Sequence, residues 1–251
     1  MAEAAAPSKG TLPEGAASEA EASSKVRDMF GQIAPRYDLL NHLLSMQLDR
    51  LWRLRTARIL QPILNRPDAL VLDLCCGTGD LAFALARAGK AHILGADFAH
   101  PMLVRAKTKP AQKPILFFES DALRLPFADA SFDLVTTAFG FRNLANYEAG
   151  LREMQRVLKP GGTLAILEFT EPPEGLLGDF YRWYFCKVLP RIGGLISGDR
   201  SAYTYLPKSV ARFFRPPELA ALMTSVGYQS VSYRLWTFAT VALHTARAKN
   251  L

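Results

Sequence analysis

Short apolar runs alternate with helical patterns along the middle of the chain. The runs that predict buried strands lie at residues 69–74, 91–96, 115–119, 131–138 and 163–169. Helix-forming residues at 81–87, 102–107 and 146–158 separate several of these runs, and Lys-Pro-Gly-Gly at 159–162 predicts a helix stop and a turn. This alternation predicts an α/β domain built on a mostly parallel sheet.

The pattern changes after residue 170. Residues 175–215 hold nine aromatic and seven basic residues against two acidic ones. They predict an aromatic, cationic lid over a substrate site, with a surface helix pair that packs its aromatic side chains inward as the alternative. A helix at 217–225 and strands at 228–236 and 238–246 then predict an antiparallel hairpin that completes a seven-stranded sheet.

The N-terminal residues differ from the rest of the chain in composition. Residues 1–24 are rich in Ala, Glu and Ser and almost without large apolar side chains, which predicts a disordered tail. Residues 25–251 are predicted to form the folded domain. Its first part, 25–60, predicts helices that cap the sheet, and the last of these helices is expected to carry on its solvent side the basic residues Arg50, Arg53, Arg55 and Arg58.

Charge and cysteine content narrow the class of protein. The chain has a net charge of +7, and its N-terminal tail contributes −3, which leaves residues 25–251 at +10. Such a surplus suits nucleic acid, an anionic membrane surface or no particular partner. Three cysteines and four scattered histidines give neither a disulfide framework nor a metal-ligand spacing, so we expect no metal site and a reducing, cytoplasmic compartment.

A glycine turn follows the first predicted strand. Gly77-Thr78-Gly79 separates the strand from a helix, and such a turn lets a nucleotide approach the backbone and the N–H groups of the helix N-terminus. A dinucleotide-binding fold would have a third glycine where Ala82 stands. Asp73, at the end of the strand, is an anionic neighbour for the amino group of S-adenosylmethionine (SAM). The residues therefore favour a Rossmann-like, class I SAM-dependent methyltransferase fold over an NAD-binding one.

Polar residues also stand where the next strands end. Asp97 ends the second strand, about where an acid accepts hydrogen bonds from both ribose hydroxyls, although it could instead cap the following helix. Asp121 follows the third strand and could accept from an adenine amino group, while the N–H of Ala122 donates to the ring. Arg142 and Asn143 follow the fourth strand, on the side that would face the reacting methyl group.

Three longer stretches resemble one protein family. They are YDxxNxxLSxxxDxxW at 37–52, RVLKPGGxLxxLExT at 156–170 and FGxRN at 139–143. With these stretches the chain resembles, over residues 26–248, the C-methyltransferases of menaquinone and ubiquinone biosynthesis. It departs from the family pattern at Asp49, where many members carry His, and at Thr170, where Ser is usual.

The resemblance implies a reaction and a set of cofactor contacts. The reaction is methylation of a prenylated quinol, either demethylmenaquinol, which we favour, or its benzoquinol counterpart in the ubiquinone pathway. The implied SAM contacts agree with those placed at strand ends and with the glycine turn. Together they are Asp73, Gly77, Thr78, Gly79, Asp97, Asp121, Ala122 and Ala138, the last standing where the family often has Ser, so that its contact would be made by backbone.

The implied chemistry also assigns catalytic roles. A quinol ring carbon becomes nucleophilic when the adjacent hydroxyl loses its proton, so the site must favour a phenolate. We expect Arg142 to stabilise this phenolate or orient water, and Tyr37 and Asn143 to orient the ring oxygens. The general base is left open between Asp38, His42 and a relayed water, and no metal is required.

Two other classes of function compete with this interpretation. A nucleic-acid methyltransferase would suit the basic charge, but base amino methylation commonly uses an Asn/Asp-Pro-Pro-aromatic loop, whereas AFGFRN stands here after strand four. A non-catalytic binding protein with a SAM fold is the second, and the acids at the strand ends argue against it.

The expected partners follow from the substrate. They are a prenylated quinol and an anionic membrane surface, which residues 175–215 would contact through aromatic anchors and basic residues such as Lys187 and Arg191. No nucleic-acid partner is expected. We expect a cytoplasmic protein that is peripheral at the inner face of the cytoplasmic membrane. The oligomeric state is left open, with a homodimer as one option.

Overall fold

A computed structural model describes residues 10, 11, 13, 15–171, 175, 178, 183, 184 and 201–249. Its seven-stranded sheet has the order β3-β2-β1-β4-β5-β7-β6. The strands are β1 Leu70–Leu74, β2 His92–Asp97, β3 Leu116–Glu119, β4 Phe132–Ala138, β5 Leu158–Phe169, β6 Gln229–Trp236 and β7 Val241–Arg247. Strands β1 to β5 pair in parallel, and β7 lies antiparallel between β5 and β6. The predicted mostly parallel sheet with a C-terminal hairpin is therefore confirmed.

Helices cover both faces of this sheet. They are α1 Glu19–Ile33, α2 Tyr37–Leu44, α3 Leu48–Leu64, α4 Asp80–Ala88, α5 His100–Thr108, α6 Tyr147–Val157, α7 Ser201–Arg212 and α8 Pro216–Val226. One face packs its core against α3 and α4, and the other against α6 and α8. Because both faces are covered, β1 and β4 are buried along almost their whole length rather than at alternate residues, as their sequences predict.

The helix stop predicted at 159–162 is confirmed, because α6 ends at Val157, but the stretch is not a separate turn. It lies inside β5, which begins at Leu158 directly after α6. Phe132 of β4 pairs with Leu158 and Leu134 pairs with Thr163, so the residues between them form a bulge rather than a separate turn. Gly161 has a φ of +70° there, a conformation that glycine adopts without strain.

The predicted boundary at residue 24 must be corrected. Helix α1 begins at Glu19, where the Ser18 side chain accepts a hydrogen bond from the N–H of Glu21. Further upstream, the N–H of Thr11 donates to the carbonyl of Leu144 at 2.7 Å. A β-carbon at the neighbouring Gly10 would lie 1.7 Å from the carbonyl oxygen of Ala145, so the backbone is closely packed there. Residues 10–24 therefore belong to the folded domain in their described part.

Most of the predicted lid lies outside the described residues, Lys187 and Arg191 included. In its described C-terminal part, Phe213 and Phe214 are buried and pack edge-on against Tyr147 of α6. These two aromatic side chains point inward, as in the helix-pair alternative. None of the described helices has the length and the apolar character needed to span a bilayer.

Candidate active site

An open cavity, with about 880 Å³ of empty space including the solvent at its mouth, lies at the carboxyl ends of the central strands. It lies beside β1, from which the strand order runs to β2 on one side and to β4 on the other, and open α/β sheets bind ligands at this point. Helices α1, α2 and α3 close its opposite side, where Ser23, Phe30, Tyr37 and Arg53 line the wall. The N-terminal helical cap is therefore part of the site.

The glycine turn after β1 forms the floor of the cavity. Gly77 and Gly79 have φ values of +55° and +83°, and Gly79 is the N-cap of α4. A β-carbon at Gly79 would lie 3.0 Å from the rings of Phe83 and Phe117. Gly77 and Thr78 line the cavity. Gly79 is not among the described lining residues, so its part is to shape the turn.

Asp73 places a buried, incompletely hydrogen-bonded carboxylate at the cavity. The residue is fully buried, and its Oδ1 accepts a hydrogen bond from the Thr136 hydroxyl at 2.9 Å. Its buried Oδ2 has no hydrogen-bond partner among the described residues, and Asp73 lines the cavity. Burial raises the pKa of Asp73 to about 7. An orphaned carboxylate oxygen of this kind fits a cationic donor on a ligand.

Asp97 is held in place by backbone N–H groups. Its Oδ2 accepts from the N–H of Gly77 at 2.8 Å and its Oδ1 from that of Ala99 at 2.9 Å. Helix α5 has Ala99 as its N-cap and no side-chain cap, so the helix-capping alternative is not what the structure shows. Burial raises the pKa of Asp97 to about 6. The carboxylate lines the cavity and keeps lone pairs for further donors.

The end of β3 adds a third polar group. Asp121 and Ala122 line the cavity, as predicted, and Asp121 Oδ1 accepts from the N–H of Leu123 at 2.9 Å. Ser120, which no sequence pattern indicated, also lines the cavity, and its buried hydroxyl has no partner among the described residues. A Ser next to an acid at a strand end is too common a pattern to single it out.

The end of β4 carries Ala138 and leads to Asn143, and both line the cavity. The Asn143 side-chain oxygen accepts a hydrogen bond from the Tyr205 hydroxyl at 3.0 Å. Tyr205 in turn shares a 2.7 Å hydrogen bond with the hydroxyl of Thr11. The N-terminal segment and α7 together therefore hold Asn143 in position.

Arg142 lies elsewhere than predicted. Its side chain is buried and is not among the described residues that line the cavity. The guanidinium forms an ion pair with Glu168 of β5 at 2.8 Å and donates to the carbonyl of Phe139 and to the Ser209 hydroxyl. The role of a phenolate contact must therefore be revised: Arg142 holds the loop after β4 against β5 and α7.

Helix α2 contributes one wall residue and a set of polar contacts behind it. Tyr37 lines the cavity. The Asp38 carboxylate accepts from the Thr78 hydroxyl and lies 2.8 Å from Lys109 Nζ. Asn41 is on the same helix, but its side chain is outside the described part of the structure. His42 Nδ1 lies 2.7 Å from an Asp49 carboxylate oxygen.

Arg53 also differs from its prediction, because it is buried instead of facing solvent. Arg50, Arg55 and Arg58 are exposed, as predicted, whereas Arg53 is 7 % exposed and lines the cavity. Its guanidinium is ion-paired with Asp49 and stacks over the ring of Phe139, 5.6 Å from the ring centroid.

A cluster of His42, Asp49 and Asp80 lies next to Arg53, and Asp80 itself lines the cavity. Their ligand atoms lie within 4.8 Å of one another, a spacing that could hold a metal ion. However, Asp49 is ion-paired with Arg53, and Asp80 lies 2.6 Å from Lys109 Nζ. Two cations in contact with these carboxylates oppose a divalent metal, so the cluster is an ion-pair network.

Solved structures support the fold. The [4+2]-cyclase SpnF superposes with a TM-score of 0.66 at 17% sequence identity, over 97% of this chain and 100% of its own. A SAM-dependent methyltransferase from Thermotoga maritima gives a TM-score of 0.62 at 21% identity, over 88% of this chain and 99% of its own. The chain has the Rossmann-like, class I methyltransferase fold.

Curated relatives are more similar in sequence. The demethylmenaquinone methyltransferase of Thermus thermophilus is 52% identical over 86% of this chain and 98% of its own. The demethylmenaquinone methyltransferase of Deinococcus radiodurans is also 52% identical, over 85% of this chain and 88% of its own. The ubiquinone/menaquinone biosynthesis C-methyltransferase UbiE of Geobacter sulfurreducens is 42% identical over 90% and 89%. The model of the ubiE/COQ5 methyltransferase family matches residues 18–248, and the chain belongs to this family.

Proposed function

We propose that this protein is a SAM-dependent C-methyltransferase that converts demethylmenaquinol to menaquinol. One observation carries the proposal. The cavity joins acids at three strand ends, Asp73, Asp97 and Asp121, to an aromatic wall that includes Tyr37 and Phe139. The acids suit the amino group, ribose and adenine of SAM, and the aromatic wall suits a flat quinol ring.

The residues present fit SAM, whose sulfonium group supplies an electrophilic methyl group. The orphaned Oδ2 of Asp73 would accept from the amino group, and Gly77 and Thr78 allow close approach of the amino-acid end. Asp97 would accept from the ribose hydroxyls. Asp121 and the N–H of Ala122 would contact adenine. Ala138 offers only backbone at a position next to the reacting centre.

The quinol would bind between Tyr37 and Asn143. The phenol hydroxyl of Tyr37 and the amide of Asn143 would orient the ring oxygens, and the Thr11–Tyr205–Asn143 hydrogen bonds fix that amide. Neither Asp38 nor His42 is among the described residues that line the cavity, which favours a relayed water as the proton acceptor. Arg142 would act indirectly, through the position of the Asn143 loop.

The names of the relatives favour the menaquinone branch. Both relatives at 52% identity are named demethylmenaquinone methyltransferase, whereas the relative at 42% carries a name that covers both pathways. The benzoquinol reaction is therefore the second candidate. Because a prenylated substrate partitions into lipid, we place the enzyme in the cytoplasm, peripheral at an anionic face of the cytoplasmic membrane.

The test is a product analysis with purified protein. SAM and demethylmenaquinol are supplied together, and the quinones are then extracted and analysed by mass spectrometry. We expect menaquinol, with the mass increase of one methylene unit on the naphthoquinol ring. The demethylated benzoquinol serves as the competing substrate. Faster methylation of the benzoquinol would move the enzyme to the ubiquinone branch, and no methylation of either quinol would contradict the proposal.

SAM affinity is expected to fall as the pH is lowered through about 7 and then about 6, the pKa values of Asp73 and Asp97 in the free protein. Protonation removes the negative charge that attracts the amino group and the acceptor lone pairs used by the ribose. The loss should approach about tenfold per pH unit for each proton that must be released. Isothermal titration calorimetry measures it. In Asp73→Asn the loss of SAM affinity near pH 7 should disappear, because the group that titrates there is gone. A SAM affinity of the native protein that does not change with pH would contradict the assignment of Asp73 and Asp97 to the cofactor.

A further inference from the structure

We propose that Arg53 binds the carboxylate of the cofactor's amino-acid end. This inference rests on the proposed use of SAM. Arg53 is on α3, and its side chain is 9% exposed. It is buried on the inner face of the helix and lines the cavity, whereas Arg55, two residues on, is exposed to solvent.

The charges around the cavity explain why an arginine is needed there. Four of the described residues that line it are acids, namely Asp73, Asp80, Asp97 and Asp121, and Arg53 is the one Lys or Arg among them. A ligand carboxylate would be repelled by this set unless a cation received it. Lys109 and Arg142 are not among the described lining residues and are ion-paired with Asp38, Asp80 and Glu168.

The guanidinium is held so that some of its donors remain available. Among the described contacts it donates one hydrogen bond, from Nη1 to Asp49, while Nη2 lies 3.8 Å from Asp80 Oδ2. Asp49 is fixed in turn by the Ser45 hydroxyl at 2.6 Å and by His42 at 2.7 Å. A guanidinium has five N–H donors in a planar fork, so the remaining ones can receive a carboxylate.

Asp49 stays charged as the anchor of this arrangement. Burial by itself would raise the pKa of Asp49, but the neighbouring Arg53 and the hydrogen bond from Ser45 outweigh burial and lower it below its usual value. Asp80 behaves alike: burial opposes its charge, and Arg53 and Lys109 outweigh burial and lower its pKa. Arg53 therefore lies between the ionised carboxylates of Asp49 and Asp80, which orient its guanidinium and leave some of its N–H donors available to a ligand.

The position of Arg53 favours the cofactor over the quinol as the source of the carboxylate. Its charge acts on Asp73, whose Oδ2 is the free acceptor described above. An α-amino acid carries its ammonium and carboxylate groups on one carbon, and Asp73 with Arg53 offers one acceptor and one donor set for them. Asn143, which is assigned to the quinol ring, has its side-chain oxygen bonded to the Tyr205 hydroxyl at 3.0 Å instead.

The experiment compares SAM with decarboxylated SAM, which lacks only the carboxylate. Dissociation constants of both are measured by isothermal titration calorimetry on the full chain. The native protein is expected to prefer SAM by about 10- to 100-fold, the scale of a charge-assisted hydrogen-bonded pair. In Arg53→Met this preference should fall to about one or below, because the lining acids remain, with little loss of affinity for decarboxylated SAM. Arg55→Met, on the exposed face of the same helix, should keep the native preference.

A second variant guards against misfolding. Arg53→Met leaves Asp49 buried with less compensation, so Asp49→Asn/Arg53→Met keeps the hydrogen-bonding shape and removes both charges. Like the single variant, it should lose the preference for SAM over decarboxylated SAM. An unchanged preference for SAM in either variant would overturn the inference. If the KM for the quinol were raised at the same time, Arg53 would be assigned to the substrate and not to the cofactor.

The native protein separates this inference from the proposed function. If it binds neither ligand, the proposed use of SAM fails. If it binds SAM and decarboxylated SAM equally well, the role of Arg53 fails while the proposed function stands.

Discussion

Replacing Arg142 with leucine is expected to destabilise the protein by about 3–5 kcal/mol. The guanidinium is buried and pairs with Glu168, which is 1% exposed, at 2.8 Å. The variant leaves that carboxylate buried without its cation and removes the hydrogen bonds to Phe139 and Ser209. Urea denaturation followed by circular dichroism measures the loss as a lower free energy of unfolding.

Two further variants show that burial, and not charge alone, causes this loss. Arg152 forms an exposed ion pair with Glu148, and Arg152→Leu should cost less than about 1 kcal/mol. In Arg142→Leu/Glu168→Leu no uncompensated charge remains, so most of the stability should return. A native-like free energy of unfolding in Arg142→Leu would contradict the buried ion pair.

The acids of the site could be predicted because of how parallel sheets are built. The carboxyl ends of parallel strands meet at one edge, so Asp73, Asp97 and Asp121 converge once the strands are identified. For a helix, the sequence does not say as directly which polar side chains face the cavity. On α3 the buried stripe contains Asp49, Trp52, Arg53, Thr56 and Leu60, and Arg53 falls on it by its i+4 spacing from Asp49. Arginine is usually exposed, so Arg53 was assigned to the solvent side of the helix with its neighbouring arginines although its spacing from Asp49 indicated burial.

The N-terminal residues could not be placed from composition. The segment before residue 25 has few large apolar side chains, which is why disorder was predicted. Several of its described contacts instead reach residues far along the chain: Thr11 bonds to Leu144 and to Tyr205, and the Glu19 carboxylate accepts from the Asn146 side chain. Contacts of this kind form between residues that are far apart in sequence, so no local sequence pattern predicts them.

Arg142 shows the same limit for a catalytic residue. Its place after β4 was predicted correctly, but the direction of its side chain was not. Glu168, at the end of the neighbouring strand β5, takes the guanidinium away from the cavity. Two charged residues at adjacent strand ends can pair with each other as readily as they can face a ligand. The sequence alone does not decide between these arrangements, whereas the hydrogen bonds of the structure do.

Supplying the substrate as the oxidised quinone is expected to abolish methyl transfer. The quinone has carbonyls where the quinol has hydroxyls, so its ring carbons are poor in electrons. A quinol that loses a hydroxyl proton becomes a phenolate, and its ring carbon can then donate an electron pair to a methyl electrophile. The ring proton leaves as aromaticity is restored, and no net oxidation takes place. The reduced state of the substrate is therefore a condition of the proposed reaction.

The assay uses the same enzyme and SAM in two anaerobic vessels. One contains demethylmenaquinol kept reduced by dithionite, and the other contains demethylmenaquinone without a reductant. Methylated product should form only in the first vessel, and adding dithionite to the second should start the reaction. SAM binding, measured separately, should be the same with and without dithionite, which separates an effect on the quinol from an effect on the protein. Equal rates in the two vessels would contradict a phenolate nucleophile, and with it the placement of the quinol oxygens against Tyr37 and Asn143.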